Sequence, residues 1–390
     1  MAERDYRIDF FRGFALYMIV VDHIAGDPLA RLTYQHFGFS DAAEIFVFLS
    51  GLACGIAYSR SLARSGFNGF VLAVTKRAAR IYLYYGVSSA VVIVAATLAA
   101  TVWHIDLQGD GLAIQGDRLA TEIRWMLLLR NTPAHSEVLV LYIALTLIVI
   151  PTFLLSGERN ARFSLALSGL VWLFSPLLAD LCGPPVADWY FNPFAWQFLF
   201  TIGMFFGVKW DCPQPQLQLL RQLPWLLPTC WTIVALAFAY KLLMFLSPPI
   251  GLDLSGMRID QVHFSAMKRN LSTIRLCHFL SVAFIVATYV QPNNVFLRTR
   301  LALPITWCGK SPLQIFSLTI VISAFANIHV MAFHPGIPLR LVMDLLAFAL
   351  MSLAACALLP GMIRKFRVVW QGSMEIQLNG KSPLSGKVPP

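Results

Sequence analysis

Residues 7–24 read Arg7-Ile-Asp-Phe-Phe-Arg-Gly-Phe-Ala-Leu-Tyr-Met-Ile-Val-Val-Asp-His-Ile24, an apolar run that still carries Arg12 near one end and Asp22 and His23 near the other. Arg12 and His23 are eleven residues apart, about three helical turns, so both project from nearly the same helix face, roughly 16 Å apart along the axis. Ionisable groups are costly in a membrane unless they face a bundle interior or a wet cavity. The pattern therefore predicts a membrane helix whose polar face lines a site reaching inward from one surface.

The composition is typical of a membrane protein. Of the 390 residues 57% are hydrophobic and 13% charged, with a mean hydropathy of +0.66, whereas soluble domains carry about 25% charged residues. Basic loops beside membrane spans explain the formal charge of +10, so it does not indicate nucleic-acid binding. We expect an all-α, polytopic integral membrane bundle in contact with the lipid bilayer.

The hydropathy predicts about ten membrane spans. The segment after the second span, residues 60–80, holds five Lys and Arg and no acid, which places it and both termini in the cytoplasm. We expect a transmembrane domain at 1–365 and a disordered cytoplasmic tail at 366–390, which is rich in Gly, Pro and Ser. The predicted spans are 8–26, 40–59, 81–103, 138–156, 163–181, 194–210, 225–246, 272–290, 311–328 and 339–360.

The cysteines indicate neither a disulfide framework nor a metal site. They are seven, an odd number, and most lie inside apolar runs, where a thiol serves as a small core residue. We therefore expect no metal cofactor.

The first two spans carry the candidate catalytic residues His23, Asp22 and Glu44. A neutral imidazole can deprotonate a hydroxyl as a general base, although an intramembrane histidine can equally be a packed core residue. Asp22 lies about 100° round the helix from His23, so it pairs elsewhere or braces a neighbouring helix. Glu44 lies at a similar depth to His23. It either orients the imidazole or serves as a structural hydrogen-bond acceptor.

A basic element, Lys76-Arg77-Ala-Ala-Arg80-Ile-Tyr82, follows the second span. Arg77 and Arg80 share one helical face and can hold the phosphates of a cytoplasmic cofactor through fork-shaped hydrogen bonds, with Arg12 joining them. The alternative is that this is an ordinary positive-inside segment and that Arg12 extends to the membrane surface. Composition alone does not choose between the two.

Arg12 lies in the phrase Phe11-Arg-Gly-Phe-Ala15, and ten residues separate it from His23. This spacing resembles the Arg-ten-His signature of the acyltransferase family 3 membrane proteins. Further phrases are similar to that family's elements in the same order. In them Glu44 stands where Asp is common and Leu83 where Pro is usual. The phrases are Ala43-Glu-Ile-Phe-Val-Phe-Leu-Ser-Gly51, Arg77-Ala-Ala-Arg80-Ile-Tyr82 and Cys308-Gly-Lys-Ser-Pro-Leu-Gln-Ile-Phe316.

A closer resemblance is to the OpgC-type periplasmic glucan succinyltransferases, and it covers nearly the whole membrane domain. One departure is Leu139, which stands where Pro is frequent. The matching phrases are Arg7-Ile-Asp-Phe-Phe-Arg-Gly13, Gly38-Phe-Ser-Asp-Ala-Ala-Glu-Ile-Phe46, His135-Ser-Glu-Val-Leu139, Phe191-Asn-Pro-Phe-Ala-Trp-Gln197 and Leu271-Ser-Thr-Ile-Arg-Leu-Cys-His-Phe-Leu280.

The resemblance implies a ten-helix acyltransferase of the bacterial inner membrane. It would move an acyl group, in this subfamily succinyl, from cytoplasmic acyl-CoA to a hydroxyl of a periplasmic glucan, alongside other glucan-synthesis proteins. Arg12, Arg77, Arg80 and Tyr82 would bind CoA, while His23 would act at the outer end of its helix. An acyl-histidine intermediate is an open alternative.

On the outer side we expect residues that bind the acceptor and the acyl group. Sugars stack on aromatic rings, and an anionic acyl group requires a cation. The alternatives are an interfacial aromatic belt and ordinary basic span ends. The candidates are Trp196 and Gln197, with Trp189 and Tyr190, for the acceptor, Lys268, Arg275 and His278 for a succinyl carboxylate, and His135 at the outer mouth.

Two other functions fit the sequence. An O-acetyltransferase acting on another envelope polysaccharide or a lipid-linked sugar would use the same machinery with an uncharged donor. A secondary transporter or sugar exporter would carry inverted repeats with paired broken spans in its two halves, and the sequence shows neither.

Overall fold

The computed structural model describes residues 5–105, 107, 119–130, 132–133, 135–155, 160–184, 186, 189–208, 215–247, 261–292 and 294–359. The predicted tail at 366–390 lies outside these ranges. Within them all regular secondary structure is helical, which confirms the all-α class. The helices are α1 (Tyr6–Asp22), α2 (Ala42–Trp103), α3 (Leu119–Leu127), α4 (Glu137–Ala144), α5 (Ile150–Leu155), α6 (Ala161–Leu173), α7 (Ser175–Cys182), α8 (Pro193–Val208), α9 (Pro215–Arg221), α10 (Leu226–Leu246), α11 (Gln261–Arg269), α12 (Thr273–Tyr289), α13 (Ala302–Lys310), α14 (Pro312–Phe333) and α15 (Ile337–Leu358).

Among the described helices, five are long and apolar enough to cross a membrane. They are α2, the stretch Glu137–Leu154 that joins α4 to α5 through a π-helical segment, α10, α14 and α15. Two bent pairs, α6 with α7 at 69° and α11 with α12 at 64°, raise the number to seven if each pair forms one broken span. By length and composition the described helices are those of a membrane protein, whereas the ten spans and the cytoplasmic termini stay predictions.

The 62-residue helix α2 is broken at Gly66, where the backbone adopts φ 63° and ψ −168°. The rings of Tyr58 and Phe70 lie on either side of this break and contact each other, with 6.2 Å between centroids. On a straight helix residues twelve apart would be separated by about 18 Å, so the chain folds back at Gly66. A glycine suits this turn because a positive φ strains residues that carry a Cβ atom. The basic segment 60–80, interpreted as a loop, is thus helical on both sides of one glycine.

Helices α2 and α8 pack closely along two small-residue faces. Gly51 and Gly55 on α2 face Gly203 and Gly207 on α8, and a Cβ atom at any of the four would lie within 2.5 Å of a backbone oxygen on the other helix. Small residues at such spacing let helix backbones approach closely, which is a main source of association inside a membrane.

We expect Gly203→Ala to destabilise the protein by about 1–3 kcal/mol, because its new Cβ atom would lie 2.2 Å from the carbonyl oxygen of Phe48 and force the two helices apart. Thermal unfolding in detergent measures the effect. Gly86→Ala on α2 is the matched control, since a Cβ atom there meets nothing within 4 Å. Equal melting temperatures for the two variants would contradict the tight crossing.

Helix α1 lies centrally, packed against α13, α2 and α14. Its contact with α13 is close enough that a Cβ atom at Gly13 would overlap the carbonyl of Ile305, and one at Gly309 would overlap that of Asp9. This packing buries most residues of α1 between Asp9 and Val21, including Arg12, and His23 follows directly at the C-terminal end of the helix.

Candidate active site

His23 is the residue at which α1 ends. Its backbone N–H donates to the Ile19 carbonyl at 3.1 Å, and its own carbonyl accepts a hydrogen bond from the Asn327 side chain of α14 at 2.9 Å. The same Asn327 side chain accepts from the Ala25 N–H at 2.8 Å. Asn327 therefore holds the chain on both sides of the imidazole. The sequence interpretation missed this residue, although a lone amide in an apolar helix is a usable signal.

The His23 ring stacks on the ring of His135, with centroids 4.1 Å apart and planes inclined by 21°. Its Nδ1 atom is buried and has no hydrogen-bond partner among the described residues, while the residue as a whole is partly exposed. His23 is thus packed against a polar ring with one ring nitrogen uncommitted. Sequence interpretation placed His135 only at the outer mouth, and the structure brings it into direct contact with the candidate base.

Asp22 makes its hydrogen bonds to the loop that follows α1. Its carboxylate accepts hydrogen bonds from the Thr33 hydroxyl at 2.6 Å and from the Gln35 amide at 2.8 Å. These contacts tie the loop after α1 to the end of the helix. A catalytic role for Asp22 stays a prediction, and the observed contacts are those of a bracing residue.

Glu44 lies at the start of α2 in a buried ion-pair cluster rather than against His23. One carboxylate oxygen accepts from Arg275 Nε at 2.7 Å, and the other accepts from the Asp41 N–H at 2.9 Å. Asp41 in turn accepts from the Ala43 N–H at 2.8 Å, so Asp41 and Glu44 form a capping box at the start of α2. The expectation that Glu44 orients the imidazole is corrected here, because both of its oxygens are engaged elsewhere.

Arg275 and Lys268 complete this ion-pair cluster. Arg275 NH2 lies 2.9 Å and Lys268 Nζ 2.8 Å from the same Asp41 oxygen. Burial alone would raise the pKa of Asp41, but the charges of Lys268 and Arg275 outweigh it and hold that pKa well below its usual range. The two residues predicted to bind an acyl carboxylate are thus already paired with carboxylates of the chain. Arg275 is fully buried, whereas the Lys268 side chain keeps 18% exposure.

His278 lies on α12, one turn beyond Arg275, and is also buried. Its Nδ1 atom is 2.7 Å from the Ser40 hydroxyl, which is itself 2.7 Å from the Tyr34 hydroxyl. A Cβ atom at Gly38 would overlap the His278 ring, so the loop runs directly over the imidazole. These contacts anchor the loop between α1 and α2. Binding of an acyl carboxylate by His278 stays a prediction.

The acceptor candidates divide into buried and exposed residues. Trp196 is fully buried and donates from its indole to the carbonyls of Lys268 and Arg269, and Gln197 exchanges hydrogen bonds with Ser168 on α6. Both therefore join helices. Tyr190 is 41% exposed, and its ring centroid lies 5.6 Å from Lys268 Nζ. It presents an aromatic surface beside the ion-pair cluster.

A second polar region surrounds Arg12 in the N-terminal half of α1. Arg12 is buried and donates to the Leu49 carbonyl at 2.6 Å, while its Nε atom has no partner among the described residues. Arg77 hydrogen-bonds Tyr58, and its Nε atom is likewise buried without a partner. The two guanidinium groups lie within electrostatic range of each other and of the Cys54 thiol. Donors left free in this way favour binding of an anion.

Arg80 and Tyr82 lie farther along α2, at the protein surface. Both are exposed, and the Tyr82 hydroxyl donates to the Leu127 carbonyl at 2.9 Å. The structure thus brings Arg12 and Arg77 together in the interior and leaves Arg80 outside them. No group of three or more His, Cys, Asp or Glu residues in the described ranges could hold a metal ion.

These features define a helical protein with membrane-capable helices, an uncommitted imidazole at the end of α1, and two incompletely paired guanidinium groups, one on α1 and one on α2. The family model described as OpgC protein matches residues 4–360, so the chain belongs to the OpgC family. Membership indicates a transferase with a glucan-modifying, acyltransferase-like role. No curated protein and no solved structure matches the chain. The wider resemblance to acyltransferase family 3 stays a prediction.

Proposed function

We propose that this protein transfers a succinyl group from cytoplasmic succinyl-CoA to hydroxyls of osmoregulated periplasmic glucans in the bacterial inner membrane. The observation that carries the proposal lies on one helix. His23, with an uncommitted ring nitrogen, is separated by about 16 Å from Arg12, which has an uncommitted guanidinium nitrogen. In this proposal Arg12 binds an anionic group of the acyl-CoA, His23 acts as the base for the glucan hydroxyl, and α1 carries both residues.

In the proposed reaction His23 removes the proton of a glucan hydroxyl. The hydroxyl oxygen attacks the thioester carbonyl, the bond from the carbonyl carbon to sulfur breaks, and the proton passes from the imidazolium to the leaving CoA thiolate. A general base of this kind contributes about 10²–10⁴-fold. The ammonium of Lys268, close enough to interact electrostatically with His23, supplies a positive charge for the oxyanion of the tetrahedral intermediate.

The donor would lie along the inner part of α1. Arg12 and Arg77 would bind phosphate oxygens of CoA in the interior, and the exposed Arg80 and Tyr82 would contact the nucleotide at the surface. The pantetheine arm would extend from there toward His23. Fork-shaped guanidinium donors suit phosphate groups, which supports this assignment.

We expect Arg77→Met to raise KM for acyl-CoA by about 10-fold or more, because hydrogen bonds between charged groups contribute about 1.5–3 kcal/mol. The value of kcat should change much less, since the lost contact holds the donor in both the ground state and the transition state. Steady-state kinetics in proteoliposomes measures both constants. Arg64→Met is the matched control because Arg64 is exposed on the same basic segment. Equal KM values for the two variants would contradict the donor site.

The acceptor would approach from the outer side, where the exposed ring of Tyr190 and the neighbouring Trp189 offer stacking surfaces next to Lys268. Lys268 has three N–H donors and gives one of its contacts to Asp41, so its remaining donors can also bind a succinyl carboxylate. The glucan could be presented by other glucan-synthesis proteins, which would be partners of this chain.

A second candidate function is O-acetylation by the same site. The observation that favours it is the charge balance of the ion-pair cluster, in which Lys268 and Arg275 are matched by Asp41 and Glu44. An uncharged donor requires no further cation. Relative kcat/KM for succinyl-CoA and acetyl-CoA decides between the two donors.

The test of the function uses proteoliposomes that contain the purified protein and enclosed periplasmic glucan. Succinyl-CoA or acetyl-CoA is added outside, and free CoA thiol is measured together with the mass of the recovered glucan. We expect thiol release that depends on glucan and a matching acyl mass increase on the glucan. Absence of glucan-dependent release with both donors would overturn the proposal.

A further inference from the structure

His135 adopts a backbone conformation that is unusual for a residue with a side chain, with φ +69°. Hydrogen bonds of the neighbouring residues hold this backbone conformation. The Glu137 carboxylate accepts a hydrogen bond from the His135 N–H, the Ser136 N–H donates to the Pro133 carbonyl at 3.2 Å, and the Leu139 N–H donates to the Ser136 carbonyl at 3.0 Å. Strained residues of this kind persist where the structure over-determines them, and they cluster at functional sites.

This conformation places the His135 ring parallel to the ring of His23, in van der Waals contact at 4.1 Å. The charged groups that interact electrostatically with the pair are Lys268 and Asp41, while the Glu137 side chain contacts only the His135 backbone N–H. Burial, followed by the positive charge of Lys268, lowers the pKa of His135 to about 4. His135 is therefore neutral near pH 7. The His135 ring therefore adds no charge beside His23 and contacts it only by stacking.

We infer that His135 is a positioning residue for His23: its ring, held by the strained turn, packs face to face on the His23 imidazole and fixes the plane in which that imidazole takes the acceptor's proton. The inference rests on the proposed function, in which His23 takes a proton. It assigns to the strained turn before α4 a role in the rate of transfer rather than in substrate binding.

The test compares two substitutions at position 135. His135→Asn keeps a side chain that tolerates a positive φ and removes the ring, while His135→Phe keeps an aromatic ring without ionisable nitrogens. We expect His135→Asn to lower kcat by about 10- to 30-fold, because the base would lose its orientation, with KM for glucan and acyl-CoA within about twofold of the unchanged protein. We expect His135→Phe to restore kcat to within about threefold. His135→Tyr is an alternative ring if the Phe variant is poorly expressed.

His334→Asn is the matched control, since His334 also has a positive φ, at 45°, and is exposed at the end of α14. Melting temperature is measured for every variant, and kcat is calculated per mole of folded protein. The inference is overturned if His135→Asn keeps the original kcat, if kcat and KM deteriorate together, or if the ring variants lose as much kcat as Asn. Retention of activity by His23→Ala would instead refute the proposed function, so the two failures are distinguishable.

Discussion

Replacement of His23 by alanine is expected to reduce glucan-dependent CoA release by about 10²–10⁴-fold, because the hydroxyl would lose its general base. The structure gives the reason for so large an effect. The described polar groups nearest the imidazole are either paired, as Lys268 and Asp41 are, or form the neutral ring of His135. Lys268 already carries its proton, Asp41 would lose its ion pairs by accepting one, and the pKa of His135, lowered to about 4, makes its ring a weak base.

The same measurement requires that the protein remain folded. His23→Gln supplies a second substitution of similar polarity, and His329→Ala on α14 removes a partly buried histidine elsewhere in the bundle. We expect His329→Ala to keep its activity and all three variants to keep expression and melting temperature close to the original. If both His23 variants retained more than about a tenth of the activity, the base would be another group and the proposed mechanism would be wrong.

Much of the fold could be predicted from the sequence because a membrane span demands about 20 apolar residues and excludes most charges. The predicted intervals 225–246, 272–290 and 339–360 agree closely with α10, α12 and α15. Breaks inside helices could not be placed in this way. Predicted span 163–181 runs through Phe174, where the structure bends by 69° ahead of Pro176. Hydropathy averages over such local backbone features, so it does not detect them.

Helix pairing was also beyond the sequence interpretation. Gly51 and Gly55, with Gly203 and Gly207, each form a Gly-x-x-x-Gly motif. The motif indicates a close helix contact, but it does not name the partner. Which motif meets which depends on the packing of the whole bundle.

The residues of the candidate site could be predicted from the sequence, but their contacts could not. Sequence patterns identified His23, Lys268 and Arg275 as separate candidates, and the structure places all three near Asp41. Contacts between residues more than 200 positions apart arise from tertiary packing, which one sequence does not reveal. Local signals did exist for the partners. Asp41-Ala-Ala-Glu44 has the spacing of a capping box, which identifies Asp41 as a fixed carboxylate at a helix start.

Arg275→Met is expected to destabilise the protein by about 3–5 kcal/mol, enough to abolish its folded yield. Arg275 donates to Glu44 at 2.7 Å and to Asp41 at 2.9 Å, and the side chains of all three are at most 5% exposed. Removal of the guanidinium leaves two buried carboxylates with one remaining cation, Lys268. Because an isolated buried charge is far more costly than a buried pair, the loss should exceed that of an ordinary core truncation.

A charge-matched double variant separates this electrostatic effect from lost packing. Arg275→Met combined with Glu44→Gln removes one cation and one anion together and leaves the contact between Lys268 and Asp41 in place. We expect the double variant to recover most of the melting temperature and yield lost by Arg275→Met alone. Arg221→Met is the exposed control, since Arg221 donates only to the Ala287 carbonyl in the described contacts, and it should unfold as the original protein does. Equal instability of the single and double variants would show that Arg275 stabilises the bundle by its volume, because compensation of the Glu44 charge would then have no measurable effect.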